Sequence, residues 1–142
     1  MKRVLVIGLV LLLGAGCDKP SSQGESSPAA SSSPGRVEVI TVDEDVTDAT
    51  VRIRAERERA QGEGRELVVY VGASWCEPCK RFHDAAAKGE LDGRFPTLRL
   101  IEFDRDRHEG ALREAGCLSE MIPLFAKPTV DGRCSDKRVE GG

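Results

Sequence analysis

Among the residues able to do covalent chemistry, this chain carries five cysteines: Cys17, Cys76, Cys79, Cys117 and Cys134. Two of them stand three residues apart in the hexapeptide Trp75-Cys76-Glu77-Pro78-Cys79-Lys80. Along a strand, residues three apart lie about 10 Å from each other, whereas on a helix they are neighbours at about 5 to 6 Å, within reach of a disulfide. The pair can close only if it sits on a helix. At a helix N-terminus the peptide dipoles and unpaired N–H donors favour thiolate over thiol, which makes Cys76 the attacking sulfur at an exposed helix tip. Cys79, one turn deeper, then attacks a mixed disulfide on Cys76 and releases the reduced partner. Lys80 and Arg81 add positive charge beside the pair, and Glu77 opposes it.

The flanking pattern supplies the elements such a pair needs. Leu67, Val68, Val69, Tyr70 and Val71 form a short continuous apolar run bounded by Gly72, the pattern of a buried strand. Phe82, Ala85, Ala86 and Ala87 then recur at helical spacing, predicting a helix from near Trp75 to about Glu90. Pro78 suits its first turn, where a missing N–H costs no hydrogen bond. Residues 98–103 read as a second buried strand, expected to pair in parallel with the first through a right-handed crossover. Upstream, residues 36–42 alternate as an edge strand, and residues 43–60 read as a surface helix with Val46, Ala49 and Ile53 on its apolar face. The Glu56-Arg57-Glu58-Arg59 run on that helix reads as a solvated face. Residues 108–115 predict a short helix, with His108 a surface residue among charges.

The hexapeptide resembles the WCxPCK active site of thioredoxin-like disulfide oxidoreductases, with Glu77 at the variable position. A lone CxxC is weak, but a strand, this hexapeptide and an amphipathic helix in succession are specific. Covering about residues 36–142, the resemblance implies an α/β thioredoxin-like fold, a central mixed sheet flanked by helices. It also implies exchange with protein substrates without a cofactor. Cys76 and Cys79 would be catalytic, Trp75 would shape the substrate surface, and Glu77, Pro78 and Lys80 would support the motif. Ile122-Pro123 is a second point of resemblance, since thioredoxins place an Ile-Pro with a cis bond opposite the cysteine pair. It implies that Ile122 and Pro123 bind the substrate chain; a trans turn proline, or Lys127-Pro128 in that place, is the alternative. Pro123 fits the order better, because strand residues Leu124 and Phe125 and an Asp131-Gly132 turn follow it. Two departures stand out. Tyr70 occupies the position of the family's buried acid, six residues before Cys76, and the sequence stops at about where the family's terminal helix begins. That helix is expected to be missing, leaving one sheet face to be covered by a partner or the first helix. The segment after the motif, lacking a kinking proline, resembles the reductase-type domains of periplasmic electron-transfer proteins. The Glu-Pro pair resembles thioredoxin-like proteins of cytochrome c maturation.

The other cysteines speak to location. Lys2 and Arg3 precede a ten-residue run, apolar apart from Gly8, and then Gly14, Ala15, Gly16 and Cys17. This is a signal-peptide pattern, too short for the about 20 residues of a spanning helix. Small residues before a cysteine resemble a bacterial lipoprotein cleavage site, with Leu13 one place early, so Cys17 is the candidate lipidated residue; simple secretory cleavage, leaving a free thiol, is the alternative. Residues 1–16 are thus expected to be a signal peptide, residues 17–35 a lipidated cysteine and disordered Ser/Pro-rich tether, and residues 36–142 the folded domain. Cys117 and Cys134 are candidates for a structural disulfide, since leftover cysteines in an exported protein tend to pair. With a net charge of −3 that includes Lys2 and Arg3, the chain has no basic surface for nucleic acid. The expected partners are disulfide- or dithiol-containing proteins outside the cytoplasm, with a membrane electron donor a further candidate. The rival class is a copper- or other metal-handling protein using Cys76, Cys79 and His83, one ligand short of a structural zinc site.

Overall fold

The computed structural model describes residues 35–141. The leader, Cys17 and the Ser/Pro-rich stretch to residue 34 lie outside the described residues. Eight elements follow in order: β1 (Glu38–Thr41), α1 (Ala49–Gly62), β2 (Glu66–Gly72), α2 (Glu77–Ala87), β3 (Leu98–Asp104), α3 (Glu109–Glu114), β4 (Leu124–Pro128) and β5 (Cys134–Glu140). The strands form one sheet in the order β1-β3-β2-β4-β5. The pairs β1–β3 and β2–β3 are parallel, while β2–β4 and β4–β5 are antiparallel. This is the mixed sheet flanked by helices that the resemblance implies.

The central strands are apolar on both faces because both are covered. Val69 and Val71 of β2 with Ile101 and Phe103 of β3 pack with Ile53 of α1 and Leu112 of α3 into the larger core. The alternate residues, Tyr70 and Leu100, pack on the other face with Cys76 and Cys79 and with Phe82 of α2. Period-two alternation of β2 thus delivers Tyr70 to the face that carries the cysteine pair.

Three sequence expectations shift. The first helix begins at Ala49, not at residue 43: Asp48 is its N-cap, its Oδ1 accepting from Val51 N at 3.1 Å, and the acids before it lie in the preceding loop. Its charged run is not wholly solvated. Glu56 is fully buried, bonded to Arg52 at 3.0 Å and to Arg99 of β3 at 3.2 Å, and Arg99 also meets Glu38 of β1 and Glu63. The active helix ends at Ala87, short of Glu90, because Gly89 turns into the left-handed region at φ 75°. There Gly89 N donates to Ala86 O and Glu90 N to Ala85 O, both at 3.0 Å, closing the last turn.

Among the described residues β5 is the last element, and no helix follows it. On the α2 side of the sheet Val68 and Phe125 are half-buried and Val139 is exposed, lining a shallow cleft of about 260 Å³. The first helix does not cover this face, because its buried residues belong to the opposite core. At the tip of the β4–β5 hairpin Gly132 has φ 86°, and a Cβ there would lie 2.1 Å from Thr50 O, so the turn presses against the start of α1.

Candidate functional site

β2 ends at Gly72, and a short loop carries the chain to Cys76, the N-cap of α2. The helix therefore begins one residue later than Cys76, with Glu77 in its first position, Pro78 next and Cys79 third. Cys76 has extended backbone angles (φ −81°, ψ 106°), and its Sγ accepts from Cys79 N at 3.2 Å, the role an N-cap oxygen usually fills. Cys76 and Cys79 are joined by a disulfide with Cα atoms 5.2 Å apart. The exposed tip expected from the sequence is corrected: Cys76 is 4% exposed and Cys79 2%, both packed in the cluster around Tyr70 and Ala73. The inward turn at the N-cap, which points Sγ back over the helix amides, accounts for the burial.

Around the disulfide the flanking residues divide by exposure. Trp75 is 59% exposed, and its Nε1 donates to Asp106 Oδ2 at 2.7 Å. Arg105 binds Asp106 at 3.4 Å and Ser119 O at 3.0 Å, and its own N–H donates to Gly72 O at 2.8 Å. Three loops, those after β2, after β3 and before β4, are laced together by these contacts. The last of them leads through Met121, which is exposed, to Ile122-Pro123, whose peptide bond is cis. Ile122 packs against both cores, and Pro123 is buried. Lys80 Nζ meets Glu77 Oε1 at 2.6 Å on the surface, and this contact holds the Glu77 carboxyl below the usual carboxylate range.

Behind Cys79 a cleft of about 380 Å³ is lined by Tyr70, His83 and Glu102 among others. Tyr70 is fully buried, and its hydroxyl is the one buried side-chain oxygen or nitrogen among the described residues without a hydrogen-bond partner. Burial, with the neighbouring Glu102 carboxylate second, pushes its phenol far above the ordinary tyrosine range. A Cβ at Gly72 would lie 2.8 Å from that hydroxyl, so a residue without a side chain is needed there. Glu102 is register partner to Tyr70 on one side and to Thr41 on the other, and its Oε1 lies 2.6 Å from His83 Nε2.

Sequence reasoning passed over Glu102, Arg105 and Asp106 as parts of the site. Glu102 had a signal, an acid on the same strand face as the half-buried Leu98 and the buried Leu100. His108 is corrected too. It is 3% exposed, with Nδ1 accepting from Asp104 N at 3.1 Å and Nε2 donating to Asp43 O at 3.0 Å, so it ties two loops together. Among the described residues no group of three or more His, Cys, Asp or Glu is placed to hold a metal ion, and His83 is paired with Glu102. Away from the site, Cys117 and Cys134 form a second disulfide, with Cα atoms 5.1 Å apart and Cys117 fully buried.

No protein-family model and no curated protein matches the chain. Among solved structures it is similar to a thioredoxin h from poplar, with 28% identity over 76% of this chain and 86% of that chain and a TM-score of 0.47. A thioredoxin from Nicotiana alata shares 22% identity over 79% and 86% of the two chains, with a TM-score of 0.47. One from Trichomonas vaginalis shares 19% over 77% and 87%, with a TM-score of 0.45. The strand order and the helices on both faces make the fold thioredoxin-like, and a CxxC disulfide capping α2 supports thiol–disulfide exchange.

Proposed function

We propose that this chain is a membrane-tethered thiol–disulfide oxidoreductase working outside the cytoplasm, exchanging the Cys76–Cys79 pair with protein substrates. The observation that carries the exchange chemistry is the disulfide at the head of α2, where the Cys79 amide donates to the Cys76 sulfur. In the dithiol form Cys76 attacks a substrate disulfide, one substrate thiolate leaves, and Cys79 displaces the second as the pair oxidises. Trp75, adjacent to Cys76 in the chain, and Ile122, packed against the cluster that holds both cysteines, would with Pro123 receive the substrate backbone. The reaction needs no cofactor.

We place the pair on the reducing side. A strongly oxidising pair has a stabilised reduced form, whereas Glu77 sets a negative charge beside Cys76 and takes up the Lys80 charge that would offset it. Export is supported by the leader pattern and by the buried Cys117–Cys134 bond, of a kind that persists in oxidising compartments. No helix among the described residues is long and apolar enough to cross a membrane, and the proposed tether is a lipid on Cys17. Among the described residues no donor cluster speaks for the metal-handling alternative.

The test is a pair of substitutions in the expressed chain. Cys76→Ser should abolish disulfide exchange, and Cys79→Ser should accumulate a mixed disulfide with its substrate, detected by non-reducing electrophoresis. Failure of Cys79→Ser to trap any partner would count against the proposal. For the tether, Cys17→Ala should move the protein from the membrane fraction to the soluble one; unchanged fractionation would remove the lipid anchor.

A further inference from the structure

Exchange requires Cys79 to lose a proton before it attacks and to regain one when the pair is reduced. At 2% exposure its sulfur has almost no water to serve it. A thiolate formed there without an acceptor bears the cost of an unsolvated charge. The cleft behind it opens to solvent and brings titratable groups to it from every neighbouring element. From β2 comes Tyr70, whose phenol holds its proton. α2 contributes Lys80, already paired with Glu77, and Asp84, five residues past Cys79 and off its helix face. β3 contributes Asp104, whose Oδ1 accepts from the N–H groups of Asp106 and Arg107 at 3.0 Å each. Of the loop residues, Arg107 and Glu44 are paired together, and both ring nitrogens of His108 are bonded to backbone.

His83 and Glu102 remain. His83 lies four residues past Cys79 on α2, one turn along the same face, and its ring meets the edge of Tyr70 with centroids 5.4 Å apart. Its Nε2 lies 2.6 Å from Glu102 Oε1, while Glu102 Oε2 accepts from Thr41 Oγ1 at 3.1 Å. That pairing puts the proton of a neutral imidazole on Nε2 and leaves Nδ1 as a base. His83 is part-exposed, so it can pass a proton on to water.

We propose that His83, oriented by Glu102, is the group that exchanges the Cys79 proton through this cleft. The inference rests on the exchange reading above. In the forward direction Cys76 has formed a mixed disulfide, and the first substrate sulfur has left. The Cys79 proton passes to His83, and the Cys79 sulfur forms its bond to Cys76. The Cys76–substrate bond breaks, and the second substrate sulfur leaves with the electron pair of that bond and is protonated by His83 or by solvent. Two electrons pass from the dithiol to the substrate disulfide. Glu102 is a positioning residue, and His83 handles the proton.

The test follows reduced full-length protein mixed with dithiobis-nitrobenzoate, a chromogenic aromatic disulfide. Attack by Cys76 releases the first thionitrobenzoate, and closure by Cys79 releases the second. His83→Gln should leave the first release unchanged and slow the second by about 100-fold at about pH 7, within the range a positioned acid–base group contributes. The deficit should shrink in strongly alkaline solution, where hydroxide reaching the cleft takes the proton directly. Glu102→Gln should slow the same phase less, and should slow it no further in the His83→Gln background, because it acts through the imidazole. A second release as fast in His83→Gln as in the native protein, or slowed by one factor at every pH, overturns the assignment; a Glu102→Gln effect that persists in full in the His83→Gln background removes the positioning role. Native protein that releases no second equivalent would instead sink the exchange reading itself, a result distinct from the others.

Discussion

A carboxylate beside an attacking sulfur works against the thiolate, and Glu77 is such a carboxylate. Its contact with Lys80 keeps it ionised well into acid, so the charge is present at any pH where exchange runs. Glu77→Gln should favour the dithiol form and move the potential of the Cys76–Cys79 pair in the oxidising direction, by about 10 to 20 mV for this surface charge. Equilibration against dithiothreitol measures it, and a shift toward reducing values would contradict the argument. Tyr70 makes a second residue-level case. It is the only tyrosine in the chain, so phenolate absorbance reports on it alone. With its folded pKa raised by burial and by Glu102, the native protein should show no ionisation at about pH 10, where an ordinary tyrosine is half-ionised. The sign follows from linkage: the folded state holds this proton more tightly, so its contribution to stability is complete below about pH 10 and is lost as pH rises beyond that. Tyr70→Phe deletes a hydroxyl that has no partner, and it should leave stability unchanged or raise it by about 1 kcal/mol in urea unfolding.

At the level of elements, α1 is fastened to the sheet by charge as well as by Ile53. Arg99 on β3 is almost wholly buried between Glu38 of β1 and Glu56 and Glu63 at α1, so one guanidinium joins three elements at the opposite end of β3 from Asp104. Replacing Glu56 by Ala leaves that buried cation short of a partner and should cost about 3 kcal/mol by denaturant unfolding. A loss under about 1 kcal/mol would mean that the remaining acids suffice. The same residue shows where reading from sequence stops. The β2 strand, the hexapeptide and the following helix were legible because each is specified locally, by an apolar run, by cysteine spacing and by helical periodicity. Glu56 looked solvated because its partner Arg99 lies 43 residues on, and His108 looked like a surface residue because Asp43 lies 65 residues back. Burial of a polar side chain depends on partners that only the tertiary fold brings near. Helix starts slipped for a smaller reason: Asp48 and Cys76 act as caps, and a run of acids or a bulky Trp75 does not reveal which residue will turn.

For the molecule as a whole, the two disulfides have different work. Cys117–Cys134 joins the chain leaving α3 to the first residue of β5, beside the backbone bond from Cys134 N to Ala115 O at 3.0 Å. Replacing both cysteines by Ala should cost about 3 kcal/mol, as expected for a loop of this length, and leave exchange at Cys76 intact. Thermal unfolding and the two-phase release assay would check the two halves of that statement. Alkylation of the native protein without reductant, read by mass spectrometry, should label neither Cys117 nor Cys134. The cis Ile122-Pro123 bond, just before β4, and the cleft behind Cys79, just after β2, lie at one end of the sheet, and so does Trp75. It is the chain's single tryptophan, adjacent to Cys76 and pinned by Asp106. A disulfide accepts an electron from an excited indole, so the light this protein emits should be dim while the bond is closed and brighten when it opens. The molecule carries its own optical gauge of its redox state, and no label need be attached to follow a turnover.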